Sequence, residues 1–592
     1  MNMKRICLSV AALAMSAAVS FGQNFNPTVE VTNTYQGKSQ EVHKPLIGMN
    51  VPDSLLRFDL DFDYEVFNKP YQGAYSFKPY MLDMRPEKDA WRGRKLYLKA
   101  GSGYSLHPQL DFVFSPEQSG PFQMSVYAGH RSYFGKYDEV APALKDDGIF
   151  RLKKSGDGFS GYDALTSAGF DGRYSWDKTI LSFGLGYYGV AAKDTVMSRS
   201  FNAFDFNARV RANTSAESSF FYDIAFDGRI ANDILDYKAF AFPGGVPVER
   251  QNETRFTLDG LVGPVFDGGH SLLVRFEGEN ASYSAFYDGN VGRIALTPSY
   301  RLKTGRWDLN LGVRLEMIFR SDAADTLFFH KMSGGKGQIV YPDARVGFQA
   351  GERVSIYAAA TGGSRLNAYS SMLSRNHHLN PSFMASRDAS LMNPVVDNMV
   401  EKLNARIGVK GVMFSSLQFD VNGGVGIYDN YLMDAGLFLE SGLAPVVAYS
   451  DANVIFANAL LGWKSDRLSV GADLRYRSLS FQDKNAENLG FGLPAYSGFL
   501  KAEYSISSRL YAGITVDAAS WREGKCASAV TDELVKVRVP GYVDLGVNCG
   551  YRFNRKLEFW LESGNLLCQT VQRNPFYAEK GLWATAGIIL SL

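Results

Sequence analysis

The last eleven residues, Leu582 to Leu592, alternate without a slip. Leu582, Ala584, Ala586, Ile588, Leu590 and Leu592 fall on one side of an extended chain, and Trp583, Thr585, Gly587, Ile589 and Ser591 on the other. A strand reverses side-chain direction at every residue, so one face of this segment is wholly apolar. No helix or polar tail follows in the sequence to cover that face. A soluble fold must supply a second layer there, whereas a membrane barrel needs only lipid.

The same pattern recurs upstream. Trp307, Leu309, Leu311, Val313, Leu315 and Met317 oppose Asp308, Asn310, Gly312, Arg314 and Glu316. Leu468, Val470, Ala472, Leu474 and Tyr476 oppose Ser469, Gly471, Asp473, Arg475 and Arg477. Val543, Leu545, Val547, Cys549, Tyr551 and Phe553 oppose Asp544, Gly546, Asn548, Gly550 and Arg552. Segments beginning at Leu96, Phe122, Leu181 and Leu510 behave alike. Soluble propellers and sandwiches also alternate, but no blade-length repeat is present. The segments reach about ten residues, the length of a membrane-crossing strand rather than the five or six usual in sandwiches. Both signs of charge mix on the polar faces, as in a watered lumen with ion-pair networks.

Counting such segments from Lys95 predicts a transmembrane antiparallel β-barrel of about 22 strands. Connections alternate in length. Lys303 to Arg306 and Asn554-Arg555 read as periplasmic turns; Gly135 to Ser167, Asp322 to Gly337 and Asn367 to Met399 read as extracellular loops. Aromatic residues make up 14% of the chain, with 32 Tyr and 41 Phe, as strands and interfacial girdles favour. Formal charge is +1, which gives no pointer to nucleic acid.

The N-terminus carries an export signal. Lys4 and Arg5 precede an apolar stretch from Ile6 to Val19, and Ser20-Phe21-Gly22 places small residues for cleavage between Gly22 and Gln23. The apolar run is shorter than a spanning helix requires. The expected organisation is therefore a signal peptide at 1–22, a periplasmic or lumen-inserted segment at 23–94, and an outer-membrane barrel at 95–592. Within the second part, Asp59, Asp61, Asp63 and Glu65 alternate with Leu60, Phe62 and Tyr64. Same-face carboxylates on a strand lie nearly 7 Å apart, too wide for one calcium ion, and a solvated edge strand is the simpler reading.

No catalytic or metal site is expected. His377 and His378 are neighbours, which on an extended chain point apart, and they read as a surface loop pair. Gly244-Gly245 and Gly334-Gly335 lack the strand-to-helix setting of a phosphate cradle. Cys526, Cys549 and Cys568 have no metal-ligand spacing and read as small buried or lipid-facing hydrophobes. No cofactor is implied.

The C-terminal region resembles the end of a TonB-dependent receptor barrel. Pro540-Gly541-Tyr542 opens a strand that Tyr551 to Asn554 closes; Leu557 to Leu561 follows, then Asn565-Leu566-Leu567-Cys568-Gln569, similar to the family's NLLNQ run. Asn380-Pro381, Glu401 and Gly408 to Lys410 are similar to its mid-barrel pattern, and the strand from Lys95 to Tyr104 resembles a plugless subgroup of the Bacteroidota type. Thr585, Gly587, Leu590 and Leu592 match the spacing of a barrel-assembly signal read by the insertion machinery. The resemblance implies transport of a solute across the outer membrane. The segment 23–94 is too short for the family's plug domain, and no clear TonB box lies near its start, where Pro27 to Val31 is a faint match, which puts coupling to TonB in doubt. The alternative is a non-transporting scaffold barrel in an assembly or secretion complex. Outer-membrane lipid and the insertion machinery are the implied partners, with a periplasmic or surface lipoprotein as a further candidate.

Overall fold

The computed structural model describes residues 95–592 apart from 105, 117–119, 195–196, 214–218, 238–249, 286–288, 323–339, 380–395, 415, 440–441, 482–489 and 529–533. The expectations for the export signal, the acidic strand and the paired glycines lie outside the described residues.

The described residues are mostly strand. β1 (Leu96–Gly103), β2 (Gln109–Phe114), β3 (Phe122–Leu144), β4 (Phe150–Ser175), β5 (Thr179–Lys193), β6 (Met197–Ala212), β7 (Phe220–Tyr237) and β8 (Arg250–Phe266) come first. β9 (His270–Ala285), β10 (Gly289–Thr304), β11 (Trp307–Asp322), β12 (Val340–Gln349), β13 (Val354–Asn367), β14 (Asp397–Met413), β15 (Leu417–Leu439) and β16 (Gly442–Lys464) follow. The last are β17 (Leu468–Phe481), β18 (Gly490–Phe491), β19 (Tyr496–Ser505), β20 (Leu510–Ala519), β21 (Arg522–Ser528), β22 (Leu534–Val539), β23 (Tyr542–Arg552), β24 (Leu557–Gly564) and β25 (Trp583–Ser591). A short helix, α1 (Tyr369–Arg375), lies between β13 and β14.

Strands pair antiparallel with their sequence neighbours from β1 to β17, then β17–β19–β20–β23–β24–β25. β25 returns to β1 and closes the ring. Of 25 strands, β18, β21 and β22 stand outside it, so 25 − 3 = 22 form the barrel. Closure leaves no unpaired edge in the ring, which is what lets a sheet stand in hydrocarbon.

At the seam Leu98 is opposite Leu590, Ala100 opposite Ile588 and Gly103 opposite Thr585. Leu96 and Leu592 exchange both backbone hydrogen bonds at 2.9 Å. Gly587 is needed here, because a Cβ at that position would lie 2.0 Å from the Ala100 carbonyl oxygen. Side chains clamp the seam from within. Lys99 on β1 reaches past β25 to Glu562 on β24 at 2.7 Å and lies over the Trp560 ring.

The alternation settles which face is which. Leu311, Val313, Leu315 and Met317 on β11 are exposed outward, as are Leu582, Ile588 and Leu592. Thr585, Ile589 and Ser591 are buried on the other side. An apolar outer face of this kind is stable against lipid and costly against water. Cys549 keeps its place in the outward set and Cys526 is buried, but Cys568 is exposed in a turn with φ +51°, so the expectation fails for it.

One end of the barrel has short connections, among them 305–306, 465–467 and 553–556, and both ends of the described chain. The other end carries 368–396, 482–495, 520–541 and 565–582. Gly135 to Ser167, expected as a loop, is instead the outer half of the β3–β4 hairpin, with only 145–149 as its turn. Above a membrane both faces of a ribbon are wet, so the alternation fades while the backbone ladder continues. A bulge between Tyr137 and Glu139 bends this ribbon. Opposite it Gly158 takes φ +77°, where a Cβ would lie 2.2 Å from the Tyr137 carbonyl oxygen.

Candidate functional site at the mouth of the barrel

Two outsized hairpins, β3–β4 and β15–β16, rise beyond their neighbours at the long-connection end. The connection between β20 and β23 folds as the hairpin β21–β22. β21 pairs in parallel with the tip of β15 at Leu437 and Phe438, and β22 in parallel with β4 at Phe150 and Arg151. β4 and β15 stand fourth and fifteenth in the ring; 15 − 4 = 11 is half of 22. The hairpin thus joins strands from opposite sides of the barrel, and a sheet β3–β4–β22–β21–β15–β16 crosses its mouth. Leu152, Phe491, Cys526, Val537, Val539 and Phe576 form the buried cluster of this crossing sheet.

A second element enters below it. The chain after β13 turns inward and forms α1, whose Tyr369, Met372 and Leu373 are buried with Leu379. They pack against Phe201 of β6, Tyr283 of β9, and Leu432 and Met433 of β15 in one cluster. Burial of each such side chain stabilises by about 1.5–3 kcal/mol. The polar contacts decide where the helix sits. Tyr369 Oη donates to Asp233 at 2.6 Å, and Ser370 donates from N and Oγ to Glu253 at 2.9 and 2.5 Å. Arg199 of β6, fully buried, donates to Asp233 at 3.1 Å and to the carbonyls of His377 and Leu379 at 2.6 and 2.7 Å. On the far side Arg375 pairs with Asp434 of β15 at 2.5 Å. The same carboxylate takes Arg522 of β21 at 3.4 Å. Arg522 also donates to the carbonyl of Arg573, in the 565–582 connection, and Arg573 holds Asp517 of β20 and Asp544 of β23 at 2.9 and 2.7 Å. Asp434 is thus the cleat on which the inward helix and the crossing hairpin are both made fast.

His377 and His378 are not a surface pair. His377 Nε2 lies 2.9 Å from Asp163 of β4. The His378 ring stacks on Tyr577, with centroids 4.0 Å apart and planes at 5°. Tyr577 Oη in turn donates to Asp194 at 2.7 Å. Burial opposes charge on His377, but the Asp163 carboxylate outweighs it and raises His377 above its ordinary value. Burial, and then the His377 charge, hold His378 well below. Near the seam, His107 shares hydrogen bonds with Lys580 at 2.8 Å and with Thr585 at 2.9 Å. Burial, reinforced by Lys580, takes His107 down to about 4, and burial takes Lys580 down to about 8.

The lumen wall beneath is electrically balanced. Glu279 accepts from Arg255 and, at 2.9 Å, from Arg293; Arg314 bridges Glu277 and, at 2.8 Å, Glu316. Arg275 pairs with Asp259 at 2.8 Å. Among the described residues no group of His, Cys, Asp and Glu is arranged to hold a metal.

Of the proposed assembly-signal residues, Leu590 and Leu592 belong to the outward-facing set, Gly587 is at the tight seam, and Thr585 is buried against His107. Asn565 and Gln569, from the run similar to NLLNQ, close a turn: each donates to the other, at 2.8 and 2.9 Å. Alternation could not reveal Arg199, Asp434 or α1. A signal did exist, since Tyr369, Met372 and Leu373 recur at helical spacing inside a stretch otherwise read as loop.

No family model matches the chain, and no curated protein does. Solved structures do. FpvA of P. aeruginosa bound to heterologous pyoverdines superposes with a TM-score of 0.59 at 13% identity, over 84% of this chain and 72% of that one. The ferric enterobactin receptor of Pseudomonas aeruginosa gives 0.59 at 13% identity, over 84% and 81%. The copper transporter OprC gives 0.56 at 13% identity, over 84% and 80%. These likenesses show the fold alone: a closed 22-strand barrel, as in the neighbours, which are TonB-dependent receptors. The neighbours are receptors and transporters rather than enzymes.

Proposed function

We propose that this protein is an outer-membrane barrel that passes a solute, and that its own chain shuts the outer mouth. The observation that carries this is the double fastening at Asp434, which ties both the inward helix and the crossing hairpin to one strand. A wall of mutually paired charges beneath a closed mouth suits a watered conduit opened by moving the mouth rather than a rigid pore. The neighbours include a ferric enterobactin receptor and a copper transporter, and a small solute of that kind is the cargo in this reading.

In the same reading the chain is exported by cleavage between Gly22 and Gln23. The insertion machinery reads Thr585, Gly587, Leu590 and Leu592, and residues 23–94 serve at the short-turn end as a reduced stopper in a plugless barrel. Membership of the Bacteroidota subgroup rests on the sequence resemblance alone.

Planar-bilayer recording of the purified protein tests the reading. Wild type should show small or brief openings, and Asp434→Asn, which keeps the shape but removes the charge, should show larger and longer ones. Removal of residues 23 to 90 should raise conductance further. Silence from all three, with a lipoprotein co-purifying after crosslinking, would replace transport with the scaffold reading.

A further inference from the structure

The crossing sheet has two unlike faces. Cys526, Val537, Val539 and Leu152 turn into the buried cluster. The opposite face carries Glu523 and Lys525 on β21, Lys536 and Arg538 on β22, and Arg151 and Lys153 on β4. The register places them. Lys525 stands directly opposite Lys536, and Glu523 opposite Arg538. Arg538 is then opposite Arg151. Like charges directly opposite one another on a sheet are destabilising, and here that happens twice within a few residues. Two of the five cations have acidic partners: Arg538 donates to Glu523 at 2.6 Å and Arg151 to Asp147 at 2.7 Å. With Glu139 of β3, which shares the face of Lys153 and Arg151, the face still carries five cations against three carboxylates. Lys536 and Lys153 are exposed, and the rest are half-exposed or nearly so.

Neighbouring strands lie about 4.8 Å apart, and same-face residues along a strand nearly 7 Å apart. Lys525, Lys536, Arg538 and Arg151 therefore form a patch that a small molecule with two or three carboxylates or phosphates can bridge. A single exposed ion pair stabilises little, but one polyanion meeting several cations relieves their mutual repulsion as well.

We infer that the outward face of the crossing sheet is a capture site for a small polyanionic solute. This rests on the transport reading, in which the sheet is the first surface an incoming solute meets. Capture there bears on the gate directly, because the same hairpin is held at Asp434 through Arg522. The site has a built-in reporter: Arg538 lies over the half-exposed Trp521 ring, 4.6 Å from its centroid.

Citrate, with three carboxylates, is the probe. Full-length protein in detergent is titrated in low salt, following Trp521 fluorescence, with equilibrium dialysis as the direct measure of binding. Wild type should bind citrate, and raising the salt to about 0.5 M, where the screening length is only a few Å, should abolish binding. Lys525→Gln/Lys536→Gln should weaken binding at least tenfold while the protein stays heat-modifiable on gels, the mark of a folded barrel. Trp521→Phe should lose the optical signal and retain dialysis binding. Absence of citrate binding by wild type, or equal binding by the double variant, overturns the capture site. Neither outcome bears on whether Asp434→Asn opens the barrel, so failure of the transport reading shows separately in the conductance.

Discussion

The wall from β5 to β11 and the mouth above it are built on opposite principles. Each wall strand is laddered to its neighbour along nearly its whole length, as in the continuous β6–β7 register from Met197 to Arg211. Its side-chain ion pairs run in a chain, so Glu279 and Glu316 each meet two arginines. The crossing hairpin meets β4 and β15 through only two residue pairs each, and α1 meets the wall through one apolar cluster and a few hydrogen bonds, with no backbone ladder. Losing one contact in the wall is absorbed by its neighbours. Losing Arg199 or Asp434 removes several of an element's few polar fastenings at once. The wall is the part that stands and the mouth the part that can move.

The largest expected effect comes from breaking the mouth at its most buried point. Arg199→Ala leaves Asp233 without its cation and two carbonyls without a donor, and removing one partner of a buried pair costs about 3–5 kcal/mol. Hydrogen exchange over residues 369–379 should accelerate by two orders of magnitude or more, with β9–β11 unchanged. Equal acceleration in those strands would erase the distinction.

Val313→Arg tests the wall from outside. It places a charge on the exposed outward face of β11, and near a bilayer midplane this costs about 2–4 kcal/mol. Unfolding of the lipid-reconstituted protein should shift by that amount, while α1 keeps its protection. No shift would mean that this face does not meet lipid.

The smallest effect is a pH contrast between mouth and seam. His377 is raised by Asp163, so its contribution is complete below about 6.5, the ordinary histidine value, and is lost as pH rises through its raised folded value. His107 is lowered to about 4, so its contribution is complete above about 6.5 and is lost as pH falls toward 4. His378, also lowered, adds an acid-side loss at the mouth. Protection from exchange at 376–379, corrected for the intrinsic rate at each pH, should therefore be greatest in a middle window and fall on both sides. Protection around His107 and Thr585 should fall only on the acid side. His377→Asn should remove the alkaline fall alone.

The amino-acid sequence by itself determined the barrel. Alternation is a local property with period two, and each strand needs only its own residues to show which face meets lipid and which meets water. The count of about 22 and the short turns within Lys303 to Arg306 and at Asn554-Arg555 were legible in it, and the closure of β25 on β1 came with the fold. The mouth was decided only in three dimensions. Arg199 and the carbonyls of His377 and Leu379, Arg375 and Asp434, and β22 and β4 are far apart in the chain, and no local period announces such meetings. The His377-His378 pair shows the limit plainly. On an extended chain the two rings would point apart, but here the chain turns and their centroids lie 4.6 Å from each other, and only the folded mouth supplies Asp163 for one and Tyr577 for the other.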